Sequence, residues 1–308
     1  MSNSIAVIDL GTNTFHLLIV EGTASHYNTI LHIEEAVKLG EGGINKGMIQ
    51  PEAFERGLNA MQRFNQHILK HNVKQIRAIA TSALRNAANG RNFINRIKTD
   101  TGISIEIIDG RAEATFIYKG VKASGCLLNK NSLIVDIGGG SCEFIICDDE
   151  QIKWKQSFEI GAARLMDRFH TTDPIGQESV RALNLYLEDN LKDLFTAVTH
   201  YSIKNIIGSS GVFESYAVLI EQYKGINIDL KKTKCYAFNN DQLLAITENI
   251  VLSSHQERLV NKGIIPVRVD MIVVASIIIR FIMQTLNYDN IIMSMNSLKE
   301  GVLIEMMS

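Results

Sequence analysis

Two segments decide how this chain folds: IAVIDLGTNTFHLLIV (residues 5–20) and SLIVDIGGGSCEFIIC (residues 132–147). Each is an apolar run, a short glycine-containing turn and a second apolar run. Asp9-Leu10-Gly11-Thr12-Asn13-Thr14 and Asp136-Ile137-Gly138-Gly139-Gly140-Ser141 match at the Asp, the Gly and the closing hydroxyl residue, at a constant offset of 127 residues. One such turn reads as an ordinary glycine hairpin with Asp as the turn former. Two in register, each between apolar strands, mark an internal duplication.

The flanking sequence repeats the same order. Strands are predicted at residues 5–10, 15–21 and 27–38. A helix opened by Pro51 follows, whose apolar positions Phe54, Leu58, Met61, Phe64 and Ile68 step by three and four. Next come a strand at 75–80, a helical region at 82–99 interrupted at Gly90, a strand at 103–108 and a helix at 112–122. The second half restarts with strands at 133–137, 143–147 and 151–158, helices across 177–199, a strand at 204–207 and a helix after Gly211. The apolar stretch from Ile277 to Ile282 reads as a buried helix rather than a partner-binding face. A length of 308 residues suits two α/β domains. The expected division is residues 1–124 and 125–297.

Composition narrows the function classes. Lys and Arg total 31 against 33 Asp and Glu, a net charge of −2, which does not indicate a basic coat for nucleic acid and leaves room for a local basic cleft. The four cysteines, Cys126, Cys142, Cys147 and Cys235, form no C-x-x-C pair and no zinc-ligand spacing, which predicts reduced thiols without disulfides. No signal peptide and no membrane span is read from the hydropathy pattern, so a cytoplasmic protein is expected.

A strand, a tight turn and a returning strand put several backbone N–H groups on the inside of a bend, where they bind phosphate oxygens. Gly11, Thr12, Asn13 and Thr14 form one candidate phosphate turn; Gly138, Gly139, Gly140 and Ser141 form the other. Asp9 and Asp136 stand just before the turns, where a carboxylate can hold Mg²⁺ or a metal-bound water. Two such turns suggest a phosphate held in a cleft between the domains. No G-x-x-x-x-G-K-[ST] occurs and a strand follows each turn, which excludes a Walker A loop and a Rossmann turn. Gly208-Ser209-Ser210-Gly211 lies between a strand and a helix, a third candidate phosphate site. It lacks the G-x-S-x-G of a serine hydrolase. Arg85, Arg164, Arg268 and Lys299 are candidate phosphate-facing cations. His16 occupies the repeat position of Glu143, so the two halves differ chemically and the second turn is the expected metal side.

Taken together, DLGTNTFHLL, ATSALRNAANG (residues 80–90), VDIGGGSCEF (135–144), IGAARL (160–165), GSSG (208–211) and LKEG (298–301) resemble the exopolyphosphatase and guanosine pentaphosphate phosphohydrolase family. That family belongs to the actin, Hsp70 and sugar-kinase superfamily. The resemblance implies two ribonuclease-H-like (actin-like ATPase) domains with an interdomain cleft, and a final helix after Leu298 that returns to the first domain. It implies an enzyme that releases terminal orthophosphate from polyphosphate, or the 5′-γ-phosphate from pppGpp, with Mg²⁺. Glu113 takes the place of the family's catalytic base, in a stretch where Ala112 replaces a first glutamate. Asp136, Gly138 and Glu143 match the second phosphate loop, with Asp136 and Glu143 as Mg²⁺ ligands and Asp9 nearby through water. Arg268 and Asp270 match an R-x-D near the C-terminal helices. Val212 stands in place of a threonine and Lys299 in place of an arginine, which loses the bidentate fork. No nucleic-acid or membrane partner is expected, and an oligomer such as a dimer is allowed. Two alternatives stand beside this reading: a small-molecule kinase on the same fold, and a non-catalytic sensor of polyphosphate or (p)ppGpp motivated by the Ala112 and Val212 departures.

Overall fold

The strands around the first turn, β1 (Ser4–Leu10) and β2 (Phe15–Thr23), are buried along most of their length, which is why both read as continuous apolar runs instead of alternating ones. The computed structural model describes residues 4–23, 26–288 and 290–308. These divide into two units: one formed by the chain up to Gly120 together with Leu298–Ser308, the other by Val121–Ser297.

In the first unit, β3 (His26–Glu35) forms a half-exposed sheet edge. It is followed by α1 (Pro51–Lys70), β4 (Gln75–Ala80), α2 (Ser82–Asn86), α3 (Gly90–Thr101), β5 (Ile105–Ile107) and α4 (Gly110–Ser124). The sheet order is β3-β2-β1-β4-β5, with β1, β2 and β3 antiparallel and β4 and β5 parallel to β1. The core joins Phe15 and Leu17 of β2 to Phe64 of α1 and Phe93 of α3. The Phe54 ring stands edge-on to Phe93 at 5.0 Å.

The second unit holds β6 (Ser132–Ile137), β7 (Cys142–Cys147), β8 (Ile152–Phe158), α5 (Ala162–Phe169), α6 (Gln177–Asn190) and α7 (Lys192–Thr199). It continues through β9 (Asn205–Ser209), α8 (Gly211–Tyr223), β10 (Cys235–Ala237), α9 (Asn240–Leu252), α10 (His255–Val260), α11 (Met271–Leu286) and β11 (Ile291–Ser294). Its sheet runs β10-β11-β9-β6-β7-β8. Read as β8-β7-β6-β9-β11, this repeats the first sheet strand for strand, with β10 added antiparallel at the edge. The duplication extends to register: Asp9 faces His16 as Asp136 faces Glu143. Each unit is therefore an α/β, ribonuclease-H-like sheet. Ten residues of α11 are buried, which leaves no free apolar stripe on it for a partner.

The last helix, α12 (Leu298–Met307), packs against β1. Arg77 of β4 pairs with its Glu305 at 2.9 Å, and Lys119 of α4 pairs with the same carboxylate. Lys119 and Arg77 together hold that carboxyl below its ordinary range.

Several expectations need correction. The region 82–99 is two helices separated at residues 87–89, with Gly90 opening the second rather than breaking it. The helices expected across 177–199 are present as two, meeting at Leu191. Helix α5 was not anticipated, and β3 ends at Glu35 because Val37–Gly40 bends inward toward the first turn. The cysteines depart most clearly from expectation: Cys126 is disulfide-bonded to Cys235, 109 residues away. Spacing rules address local pairs, whereas here the β10–β11 pairing sets Cys235 opposite Ser294, whose hydroxyl bonds Ser124 at 3.1 Å at the end of α4. Sheet topology thus makes a neighbour that spacing could not show.

Cys142 and Cys147 remain buried free thiols. Burial, with the charges of Glu143 and Asp136, pushes the Cys142 thiol far up, and burial with Asp148 pushes Cys147 up to about 12. A thiol titration should therefore find none of the four cysteines reactive in the native protein, two after unfolding without reductant and four after reduction. Four thiols in the unreduced, unfolded chain would show that the Cys126–Cys235 bond does not form.

Candidate active site

Each glycine turn closes on itself in the same way. The Gly11 N–H donates to the Thr14 carbonyl at 3.0 Å, and the Gly138 N–H donates to the Ser141 carbonyl at 3.0 Å. The carbonyls at the next two positions are then taken from behind. In the first unit, Lys38 N–H reaches the Asn13 carbonyl at 2.7 Å and Gly40 N–H reaches the Thr12 carbonyl at 3.0 Å. In the second, Gly161 N–H reaches Gly140 at 3.2 Å and Ala163 N–H reaches Gly139 at 2.9 Å, while Ala162 N–H bonds Gly138 at 2.8 Å. The opening amides of α5, which have no partner inside their own helix, are thereby satisfied by the turn. With its carbonyl edge consumed, what the second turn offers a ligand is its amide edge, the geometry of an anion nest.

The segment Val37–Gly40 is thus the structural counterpart of Ile160–Ala163. Sequence reading singled out only the second, because the two share little more than an aliphatic residue ahead of the bend. Gly161 is required by contact: a Cβ there would lie 2.4 Å from the Gly140 carbonyl carbon. Arg164 donates from Nε to the Gly140 carbonyl at 3.1 Å and pairs with Glu159 at 2.6 Å. It braces the turn from its carbonyl side.

Beyond the turn, register places a row of polar residues across four strands. Ser157 of β8 faces Glu143 of β7, Glu143 faces Asp136 of β6, and Asp136 faces Ser209 of β9. Neighbours directly opposite share a sheet face. Glu143 is 1% exposed and Asp136 8%. The Ser157 hydroxyl donates to Glu143 Oε1 at 2.6 Å. The corresponding row in the first unit is Glu34, His16, Asp9 and Ile79, and the His16 ring stacks on His32 with centroids 5.8 Å apart. The halves share a scaffold but only the second carries two adjacent buried carboxylates. That donor set fits Mg²⁺, a hard cation that takes one or two protein carboxylates and fills its remaining positions with water and phosphate oxygens. Among the described residues no group of three or more His, Cys, Asp or Glu is placed to hold a metal.

At the end of β9, Ser209 is fully buried and Ser210 has φ +89°, unusual for a residue with a side chain. Neither hydroxyl oxygen has a hydrogen-bond partner among the described residues. A buried orphan hydroxyl costs about 1–3 kcal/mol, so this strained, unsatisfied turn is built to meet something polar. The Arg268 guanidinium lies directly on it: a Cβ added to Gly211 would fall 2.1 Å from Arg268 Nη2. Arg268 is also held by Glu214 at 3.1 Å and by the Ser215 hydroxyl at 3.3 Å. Val212 packs into the core of the unit.

In the first unit, Glu113 sits in the first turn of α4, 6% exposed. The Asp109 carboxylate accepts from the Ala112 N–H at 2.7 Å and caps that turn. Arg85 Nη1 donates to Glu113 Oε2 at 3.0 Å and to the Ile108 carbonyl at 3.1 Å. Sequence reading placed Arg85 and Glu113 in separate roles; the structure brings them together. Lys299 pairs with the adjacent Glu300 at 3.2 Å. Of the described helices, none is long and apolar enough to cross a membrane.

Comparison with known proteins gives this arrangement a family. An exopolyphosphatase of known structure from Cytophaga hutchinsonii superimposes with a TM-score of 0.96 and 39% identity, covering 99% of this chain and 97% of its own. The bifunctional 3-dehydroquinate synthase/phosphatase of Fusobacterium nucleatum is 32% identical over 97% of this chain, which matches 46% of that longer protein. The Aquifex aeolicus member of the Ppx/GppA protein family shares the fold, with a TM-score of 0.81 at 24% identity over 99% of this chain and 98% of its own. The profile of the Ppx/GppA phosphatase family spans residues 18–308, and the chain belongs to that family.

Proposed function

We propose that this protein is an exopolyphosphatase, a Mg²⁺-assisted phosphoanhydride hydrolase that releases orthophosphate from the end of inorganic polyphosphate. The observation that carries the reading is the buried row Glu143–Asp136–Ser209 beside an amide-edged glycine turn. An extended polyanion suits such a row of amides, hydroxyls and guanidinium, and the similar Cytophaga hutchinsonii protein bears the same activity in its name. Release of the 5′-γ-phosphate of pppGpp is the same chemistry on a second substrate and belongs to the same proposal.

The assignments follow the chemistry. Water attacks the terminal phosphorus, the bond from that phosphorus to the bridging oxygen breaks, and the shortened chain leaves with that oxygen. Glu113 takes the proton of the attacking water, with Arg85 fixing its carboxylate. Gly139 and Gly140 amides and the Ser209 and Ser210 hydroxyls bind non-bridging oxygens, and Arg268 adds charge beside the latter pair. Mg²⁺, when bound by Asp136 and Glu143, neutralises charge on the phosphates. Gly11, Thr12, Asn13 and Thr14 form the second anion turn, with Asp9 at its entrance.

Glu113→Gln should lower kcat for phosphate release from polyphosphate by about 10²–10⁴-fold with Kd little changed. Turnover at the wild-type rate on both polyphosphate and pppGpp would remove Glu113 as the base, and wild-type protein that binds polyphosphate without releasing phosphate would identify a sensor instead.

Calorimetric titration with Mg²⁺ tests the metal assignment without activity. Glu143→Gln should weaken binding at least about tenfold, and Ser157→Ala, which frees the Glu143 carboxylate to rotate, also about tenfold. Unchanged Mg²⁺ affinity in Glu143→Gln would place the metal elsewhere.

A further inference from the structure

Arg258 heads the fully buried side chains by size, and it carries a charge. All three of its nitrogens are spent on different parts of the chain. Nε donates to the Val269 carbonyl at 2.8 Å, Nη2 to Asp173 Oδ1 at 2.7 Å, and Nη1 to the Ser253 carbonyl. The other Asp173 oxygen accepts from the His255 N–H, and the His255 ring bonds Asp270 at 2.7 Å. Residues 253–255 and 269–270 are therefore gathered around one ion pair, its guanidinium buried and its carboxylate open to solvent.

Burying a guanidinium carries a desolvation cost that a half-exposed carboxylate offsets only in part. What only a guanidinium supplies is several fixed donors at once. The backbone it grips, Val269, directly follows Arg268. Ahead of that, Arg268 N–H bonds the Ile265 carbonyl at 2.9 Å, so the backbone of Arg268 is held on both sides. Its guanidinium lies over Gly211 and bonds Glu214 and Ser215. On the strength of the function proposed above, we infer that Arg258, anchored by Asp173, is a positioning residue that sets Arg268 against the Gly208–Gly211 turn for substrate phosphate.

Arg258 touches no candidate ligand atom itself; it acts through the carbonyl of Val269. Lysine in its place keeps the charge beside Asp173 but cannot donate to Val269, Ser253 and Asp173 together. Its effect on phosphate binding should then vanish once Arg268 is gone, whereas a general loosening of the unit would weaken binding whether or not Arg268 is present.

The experiment is a double-mutant cycle on the full chain with R258K, R268M and their combination, read as the Kd for long-chain polyphosphate with Mg²⁺. R258K and R268M should each weaken binding by about tenfold, the scale of a charged hydrogen bond, and the double variant should match R268M alone. Multiplied losses, or wild-type affinity in R258K, would overturn the inference. D173N, which keeps the volume and an acceptor oxygen, runs the same cycle should R258K fail to fold by circular dichroism. A second readout needs no polyphosphate: the rate at which phenylglyoxal modifies Arg268, followed by peptide mass spectrometry. It should rise severalfold in R258K or D173N, and an unchanged rate would overturn the positioning role. Wild-type protein that binds no polyphosphate while Arg268 reactivity still rises would instead overturn the proposed function and leave the clamp standing.

Discussion

The constraint on which the second unit depends is electrostatic: Asp136 and Glu143 face each other across adjacent strands, both buried. Two carboxylates on directly facing residues repel one another when both are ionised, and burial strengthens that repulsion. Opposing that cost requires positive charge or donors aimed at the pair, and the surroundings are arranged accordingly. Ser157 donates to Glu143 from the outer strand, and the turn beyond presents amides because α5 has taken its carbonyls. The same negative field acts on Cys142, whose thiol is pushed up by burial and by both carboxylates. Under the function proposed above, a divalent cation would turn this arrangement from a liability into a binding site.

The first unit shows what the scaffold does without that pair. Its turn closes with the same 3.0 Å hydrogen bond and is braced from behind by Val37–Gly40. Yet His16 stands where Glu143 does in the other half, and Ile79 where Ser209 does. Duplication has preserved backbone pairing, which fixes the fold, while the side chains in the row have diverged into different chemistry. Lys38 takes a left-handed conformation, φ 49°, on the first strap, and Arg56 binds the carbonyls of Val37 and Lys38 at 2.8 and 3.1 Å. A strained non-glycine bend persists because neighbouring groups over-determine it.

What could be read from the sequence was whatever has a fixed local signature. Apolar runs on either side of Gly11 and Gly138 gave the strands and the repeat, Pro51 gave the start of α1, and GSSG gave the strand-to-helix turn. The polar row was legible only in part. Asp136 and Glu143 stand out beside the glycines, but Ser157 joins them through strand register, which a hairpin of unknown turn length does not disclose. Arg85 and Glu113, 28 residues apart, and Cys126 and Cys235, 109 apart, meet through topology alone. Arg258 carries no signal in the sequence, because an arginine in a helical segment reads as a solvated surface charge until its burial is known.

Departures from a family pattern weigh differently once each position has a place. Ala112 lacks the carboxylate of a first glutamate, but its contribution to the helix start is its N–H, which Asp109 caps. The adjacent Glu113 is the buried carboxylate, and its partner Arg85 is in place. Val212 lacks a hydroxyl, but its methyl groups fill the core of the second unit, while Ser209 and Ser210, whose hydroxyls are buried and unsatisfied, supply the polar face of the same turn. Both changes therefore fall where backbone or packing is the requirement, and neither removes a group that the hydrolytic assignment uses. The motive they gave for a sensor without catalysis is correspondingly weak, because a protein that only binds polyphosphate has no need of a buried glutamate held in place by its own arginine.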